Sequence, residues 1–485
     1  MDTKINKNKE LKLWEALIPV VALIGMLAFN VFIYGDASLG GSNQFVLLLG
    51  GAVAAIMGYF NKVSFHKMID EVANNIKSTA GAILILLMVG ALAGTWMVSG
   101  IIPSMIYYGL QILSPAIFLP ATLIICSVIS IATGSSWTTS ATVGIALIGI
   151  GGALGFDLGM VAGAVISGAY FGDKLSPMSD TTNLAPAMAG TDLFTHIKYM
   201  TLTTIPTYII TLILFIILGL SIEVKGDVNT NELLTAITTS FNVSGWLFLV
   251  PVIVIGLIVK KTEPLVALLV GTLLAGIFAI IFQPQIINQI SGVETMDFKS
   301  AYKGVMDAIT SKVVVPTENK TLADLFTSGG MAKMLPTIWL ILCAMVFGGI
   351  MDAIGALARI SESLLKLAHT TFGLFASTVG SCLALNITAS DQYLAIVVPG
   401  KMFAKSYRDK GLAPENLSRT LEDTGTVTSV LVPWNTCGAY QAGTLGVSTL
   451  DYLPYAFFNI ISPFMTLIFA AFNIKIKQLV NTIKE

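Results

Sequence analysis

Apolar runs recur along this chain, separated by short polar breaks. The clearest cover residues 13–34, 45–60, 80–98, 116–132, 205–220, 246–259, 265–282, 336–351, 372–385 and 455–472. A bilayer core of about 30 Å takes ~20 apolar residues to cross as a helix. Several of these runs fall short of that. The pattern therefore predicts broken and re-entrant helices beside full spans, roughly ten to thirteen membrane segments in all. The first run is long for a signal-peptide core and has no small-residue cleavage site behind it, so it reads as a retained helix. The polar stretch 283–333 has mixed charge and no periodicity that predicts an element.

The breaks come in the same order twice. LLMVGALAGTWMVSG (86–100) and ISIATGSSWTTSATVGIA (129–146) are matched by LCAMVFGGIMDAIGA (342–356) and CLALNITASDQYLAIVVPG (382–400). A polar hairpin-like element follows in each half, GAYFGDKLSPMSDTTNLAP (168–186) and RTLEDTGTVTSVLVPWNTCGAY (419–440), and then a closing apolar helix. Apolar segments resemble one another by chance, but a matched order of polar breaks does not follow from hydrophobicity. Lysines set the orientation. Lys4, Lys7, Lys9 and Lys12 precede the first run and Lys475, Lys477 and Lys484 follow the last, which places both termini in the cytoplasm. The linker 221–244, with Glu223, Asp227 and Glu232, then lies outside, and the turn at Lys260 and Lys261 lies inside. Two similar halves of opposite sense predict an all-α polytopic membrane protein of two inverted-topology repeats with broken helices and re-entrant hairpin-like elements. The expected organisation is a cytoplasmic tail at 1–12, a first repeat at 13–220, the linker at 221–244, a second repeat at 245–475 with a polar insert at 283–335, and a cytoplasmic tail at 476–485.

Composition narrows the function. Of 485 residues, 55% are hydrophobic and 11% charged, too few charges to cover a water-facing surface. The net charge of −1 excludes a basic field for nucleic acid. Cys126, Cys343, Cys382 and Cys437 are scattered without a CxxC pair, and His66, His196 and His369 are as dispersed, so neither a disulfide framework nor a zinc site is expected. No nucleotide-binding motif is present, which leaves an ion gradient as the energy source, with no cofactor. No HExxH and no nucleophile-elbow sequence supports a membrane enzyme, and an ion channel would build its filter from repeated subunits or rings.

The polar breaks carry the candidate chemistry. In hydrocarbon, non-helical backbone survives only where protein or a water-filled cavity surrounds it. TGSSWTTSAT (133–142) and NITASDQ (386–392) interrupt helices with carbonyl and hydroxyl oxygens, hard ligands suited to a small cation. The bland reading is hydroxyl-rich helix packing. Asp173 and Asp180 bracket Pro177, and SDTTN (179–183) adds three hydroxyls and an amide. In the other half Glu422, Asp423, Thr424, Asn435 and Thr436 gather around Pro433. Carboxylates within a membrane mark ion paths or proton relays, unless they cap helices, the reading that suits Asp157 and Asp192. Asp352 is flanked closely by apolar residues, and Lys174 reads as an ion partner of Asp173 or as a substrate ligand.

SGAYFGDKLSPMSDTTNLAPAMAGTDLFTHIKYM (167–200), ATGSSWTTSATVGIALIGIG (132–151) and EDTGTVTSVLVPWNTCGAYQAGTLGV (422–447) together resemble the NhaC family of sodium/proton antiporters, which includes the similar malate–proton/sodium–lactate antiporters. The resemblance runs over nearly the whole chain. One departure is Thr138, where the family pattern has a glycine after the tryptophan. The resemblance implies a bacterial inner-membrane protein with cation coupling.

From these residues the expected mechanism is competition. A carboxylate in a low-dielectric site is neutralised by Na⁺ or by H⁺, and alternating access carries one in and the other out. Asp180 and Asp391 are the expected competitors, with Thr133, Ser135, Ser136, Thr181, Thr182, Asn183, Thr388 and Ser390 as neutral oxygen ligands. Asp173, Asp423, Thr424 and Asn435 are the expected relay or gate residues. The partners are Na⁺, protons and membrane lipid, with homo-oligomer formation left open. The rival reading is organic-acid exchange, with Lys401, Lys405, Arg408 and Arg419 attracting a small carboxylate at the cytoplasmic side.

Overall fold

In this computed structural model the described residues are 11–34, 40–221, 230–293, 295–317 and 326–479. Among them, eight helices are long and apolar enough to cross a membrane, or up to ten if each of two bent pairs counts as one span. The apolar runs become helices such as Leu13–Tyr34, Ala80–Val98 and Pro264–Phe282. Leu158–Leu175, which hydropathy does not mark, is also a helix, and it is buried on nearly all sides. Its burial comes from protein rather than lipid. Small residues let it lie against Pro115–Thr133, where a Cβ on Gly168 would run into the Leu123 carbonyl oxygen. The polar insert also folds, into helices Pro284–Ser291 and Phe298–Thr310 and a two-stranded ladder of Val313–Val314 with Thr327–Ser328.

Each half contains a helix that breaks and turns back. In the first, Pro115–Thr133 ends at Gly134 (φ 68°), and the chain returns through Ser136–Thr139, the π-turn Ser140–Gly144 and Ile145–Ala153. The outer ends of the two arms meet where Phe118 stacks near Phe156 at 5.2 Å. In the second, Thr371–Thr388 breaks at Ser390 (φ 60°) and returns as Gln392–Asp409, with Phe375 against Tyr407 at the outer end. Ser390 stands in the left-handed region that glycine occupies in the other half, a strained position of the kind that clusters at functional sites.

A broken helix follows each hairpin. Leu158–Leu175 is interrupted at 176–179 and continues as Asp180–Ala189. Pro414–Leu421, extended by the π-turn Glu422–Thr426, is interrupted before Thr436–Leu445. The repeats keep one register. The N-caps Ser114, Ser135, Asp157, Ser179 and Asp192 precede Thr370, Asp391, Ala413, Asn435 and Ser448 by one constant spacing, as does the left-handed Gly190 its partner Gly446. Each broken helix starts along its own hairpin and ends along the other one. Met188 packs where Gly400 leaves room, and Leu445 packs where Gly144 does. The two hairpins therefore enter from opposite faces, which is the inverted topology read from the sequence.

The C-terminal stretch and the linker lie at opposite sides of the two hairpins. The C-terminal stretch pairs beside the outer end of the second hairpin, where the Leu479 amide donates to the Gly411 carbonyl. The helix leading to the linker, Leu193–Ser221, finishes at the outer end of the first, where a Cβ on Gly219 would meet the Ala116 carbonyl. Residues 222–229 of the linker lie outside the described residues.

Candidate cation site

The first break is held open by its own hydroxyls. Ser135 caps the returning arm, its Oγ accepting from the Thr138 amide at 3.2 Å and from the Thr138 hydroxyl at 3.1 Å. Ser136 donates twice to one oxygen of Asp173, from its amide at 3.1 Å and from its hydroxyl at 2.6 Å. Asp173 is buried at the end of Leu158–Leu175, so this pair of bonds ties the broken helix to the tip of the hairpin. The Thr182 hydroxyl donates to the carbonyls of Asp173 and Lys174, both at 3.2 Å, and the Asn183 amide donates to those of Pro177 and Ser179. These bonds supply the partners that backbone inside a membrane requires.

A cavity of about 580 Å³ lies against this crossing. Thr133, Ser135, Ser136, Asp173, Asp180 and Thr181 line it, with Thr138, Gln392 and Tyr393. Asp173 is the buried carboxylate there, while Asp180 and Glu263 are exposed. The cavity reaches Lys261 and Thr262, on the turn that the lysines place in the cytoplasm. Trp137, also on the cavity wall, stacks on the buried Tyr440 with centroids 3.9 Å apart, and the Tyr440 hydroxyl donates to the Trp137 carbonyl at 3.0 Å.

The second break is built alike but charged differently. Asp391 caps Gln392–Asp409, its Oδ1 accepting from the Leu394 amide at 3.0 Å, and it does not line the cavity. In the repeat register Asp391 takes the place of Ser135, Ser429 that of Asp173, and Thr436 that of Asp180. Two carboxylates in one half thus correspond in register to two hydroxyls in the other. Thr388 donates back to the Ala384 carbonyl, and the Ser390 hydroxyl is buried without a hydrogen-bond partner. Asn435 caps Thr436–Leu445 and donates to the Asn386 carbonyl at 3.0 Å. The structure therefore brings Thr133, Ser135, Ser136, Asp173, Asp180 and Thr181 together and leaves Thr388, Ser390 and Asp391 at the neighbouring break.

Other charges take different places. Lys174 turns away from Asp173 and pairs with Asp423, both fully buried. Asp423 also accepts from the hydroxyls of Thr203 and Thr466. Thr424 lies beside this pair with its hydroxyl unpartnered, and Glu422, fully buried, has no hydrogen bond of normal geometry to either carboxyl oxygen. Lys401, Lys405 and Arg408 are exposed along Gln392–Asp409. Arg419 is buried, its guanidinium 4.6 Å from the Tyr199 ring. Asp157 and Asp192 cap helices, as their positions suggested. Asp352 is exposed and lines a separate cavity with Lys67, Arg359 and Glu362. The sequence reading missed Gln392, Tyr393 and Lys261 as lining residues. Gln392 was detectable, since it follows Asp391 directly at the break.

Inverted repeats of re-entrant and broken helices, crossing at a charged cavity, define the core of a secondary transporter. The chain belongs to the Na⁺/H⁺ antiporter family, whose model matches residues 168–474. It is 38% identical to the Na⁺/H⁺ antiporter NhaC of Alkalihalophilus pseudofirmus over 425 residues, covering 87% of this chain and 88% of that one. It is 36% identical to the malate-2H⁺/Na⁺-lactate antiporter of Bacillus subtilis over 460 residues, 94% of each chain. The Neisseria gonorrhoeae efflux pump MtrF superposes on 93% of this chain and 95% of its own, at a TM-score of 0.40 and 14% identity.

Proposed function

We propose that this protein exchanges Na⁺ for H⁺ across the bacterial cytoplasmic membrane by alternating access, the two ions competing for carboxylates at the crossing of the broken helices. The observation that supports this reading most is the cavity in which Asp173 and Asp180 meet the hydroxyls of the first break. Carboxylate and hydroxyl oxygens suit a small hard cation, and either a proton or Na⁺ neutralises the same charge. The cavity reaches the turn that the lysines place in the cytoplasm, as an inward-open state of an alternating cycle requires. Asp391 joins the proposal as the carboxylate of the second break, with Thr424 and Asn435 as gate residues and Asp423 joining the halves through Lys174 rather than carrying cargo. Names and identities of the relatives fit this reading.

A second reading is exchange of a small carboxylate together with Na⁺. Lys261 on the wall and a volume far larger than one ion favour it. One experiment separates the two: uptake of labelled Na⁺, malate and lactate into proteoliposomes, with proton movement recorded alongside. Replacing Asp180 or Asp391 by Asn keeps size and capping capacity but removes the charge. Either variant, folded and inserted, is expected to lose Na⁺-driven proton movement. Wild-type exchange in one of them would remove that residue from coupling.

A further inference from the structure

The pair of Lys174 with Asp423 is not needed by the fold as such. In the repeat register Lys174 corresponds to Val430 and Asp423 to Ser167, so the other half builds the same elements with neither charge. The pair links the two broken helices across the repeats, and around it stand oxygens of a particular kind. Asp423 accepts from the Thr203 hydroxyl at 2.8 Å and from that of Thr466, while the Lys174 ammonium also donates to the Ser462 hydroxyl at 3.3 Å and lies 5.5 Å from the Phe458 ring. All of these polar groups are buried.

The ammonium meets one carboxylate oxygen of Asp423 and the Ser462 hydroxyl, and the Thr203 and Thr466 hydroxyls hold the other carboxylate oxygen; carboxylate and hydroxyl oxygens are the donors of a hard monovalent cation, here with an ammonium in the cation's place. We propose that Lys174 is a resident cation: its ammonium fills a site made by Asp423 and Ser462, with Thr203 and Thr466 bracing the carboxylate from its other oxygen, and this site, once the side chain is cut back, takes a free monovalent cation. The neighbouring Asp173 faces Ser136 and the cavity instead. Two adjacent residues thus serve two cation positions, one open to exchange and one permanently occupied. Lys174 in this way keeps Asp423 out of the transported charge and limits the cations that the protein carries per cycle.

The inference rests on the proposed cation exchange for its link to transport, and Na⁺ serves as the probe. The test uses purified full-length wild type, Lys174→Ala and the double variant Lys174→Ala/Asp423→Asn. Thermal unfolding is followed in choline, Na⁺ and methylammonium media, and labelled Na⁺ bound per protein is counted. Lys174→Ala leaves a buried carboxylate without a counter-charge and is expected to melt well below wild type in choline. Na⁺ or methylammonium should restore more of its melting temperature than it adds to wild type. Lys174→Ala should also bind more Na⁺ per protein than wild type, and the double variant should lose both gains. A Lys174→Ala protein that binds no more Na⁺ than wild type, and gains no more from either ion, overturns the inference. If this variant survives purification only in methylammonium and unfolds on exchange into choline, the resident-cation site is supported; failure in both media overturns it. Wild type that binds no Na⁺ beside a Lys174→Ala protein that does would sink the exchange reading while supporting this one.

Discussion

Ser136→Ala isolates the contact that ties the cation cavity to the hairpin tip. The hydroxyl donates to Asp173 at 2.6 Å and the amide donates to the same oxygen at 3.1 Å, so the substitution removes the shorter bond and keeps the backbone one. A hydrogen bond to an ionised group contributes about 1.5–3 kcal/mol, and each ~1.4 kcal/mol is a tenfold change in an equilibrium constant. Asp173 is buried, so solvent replaces the lost donor poorly. The hydroxyl supports the carboxylate when it is charged and holding Na⁺ more than when it is neutral. The half-saturating Na⁺ concentration should therefore rise roughly 10–100-fold, with the maximal rate much less affected. Ser136→Thr, which retains a hydroxyl, should recover most of the loss. The assay is Na⁺-dependent proton flux in proteoliposomes over a Na⁺ series at a pH below the site's titration range, where protons compete; well above it the bond supports the charged carboxylate with and without Na⁺ and the effect should shrink. A change below about twofold in Ser136→Ala would show that Asp173 does not hold Na⁺, because a charge-assisted bond to a cation-binding carboxylate cannot be worth so little.

Three further outcomes follow from the fold. On a cysteine-free background, a cysteine at the exposed Thr239 should react with an impermeant reagent from outside and one at Lys410 only after lysis; the reverse pattern would overturn the orientation. Gly168→Ala places a methyl against the Leu123 carbonyl of the neighbouring helix and should destabilise the protein by about 1–3 kcal/mol, read as a lower melting temperature of the purified protein. In the insert, hydrogen bonding by Ser300, first its amide at 2.7 Å, holds the Asp297 carboxyl below its usual range, so the cap stabilises Phe298–Thr310 above the ordinary carboxylate range and weakens as pH falls through the lowered value. Asp297→Ala should therefore speed amide exchange in this helix at neutral pH, and its difference from wild type should shrink towards strongly acidic pH.

The spans that face lipid were legible because lipid exposure requires an unbroken apolar run, as in Leu13–Tyr34 and Pro264–Phe282. Leu158–Leu175 escaped that logic, since a helix wrapped by protein can be built from glycine and alanine and end in Asp173 and Lys174. The two breaks were visible as hydroxyl-rich interruptions because the backbone there needs local partners. Which carboxylate faces which neighbour was not visible. Lys174 reads naturally as the partner of Asp173 one residue away, but adjacent helical residues point in different directions, and its ammonium meets Asp423 from the other half. Asp391 carried a local signal that could have been weighed more heavily: an acidic residue opening a helix is first a cap.

The central claim is that Na⁺ and H⁺ compete for one set of carboxylates at the crossing of the broken helices. The direct measurement is Na⁺ affinity of the purified protein across a pH series, by calorimetry or by half-saturation of Na⁺-dependent proton flux. Competition predicts an affinity independent of pH well above the titration range of the site. Below that range it should weaken by about tenfold per pH unit, and more steeply if two carboxylates titrate as a pair. An affinity that stays flat from acidic to alkaline pH while exchange continues would contradict the account and leave Na⁺ exchanged with a small carboxylate, without a competing proton, as the reading to pursue.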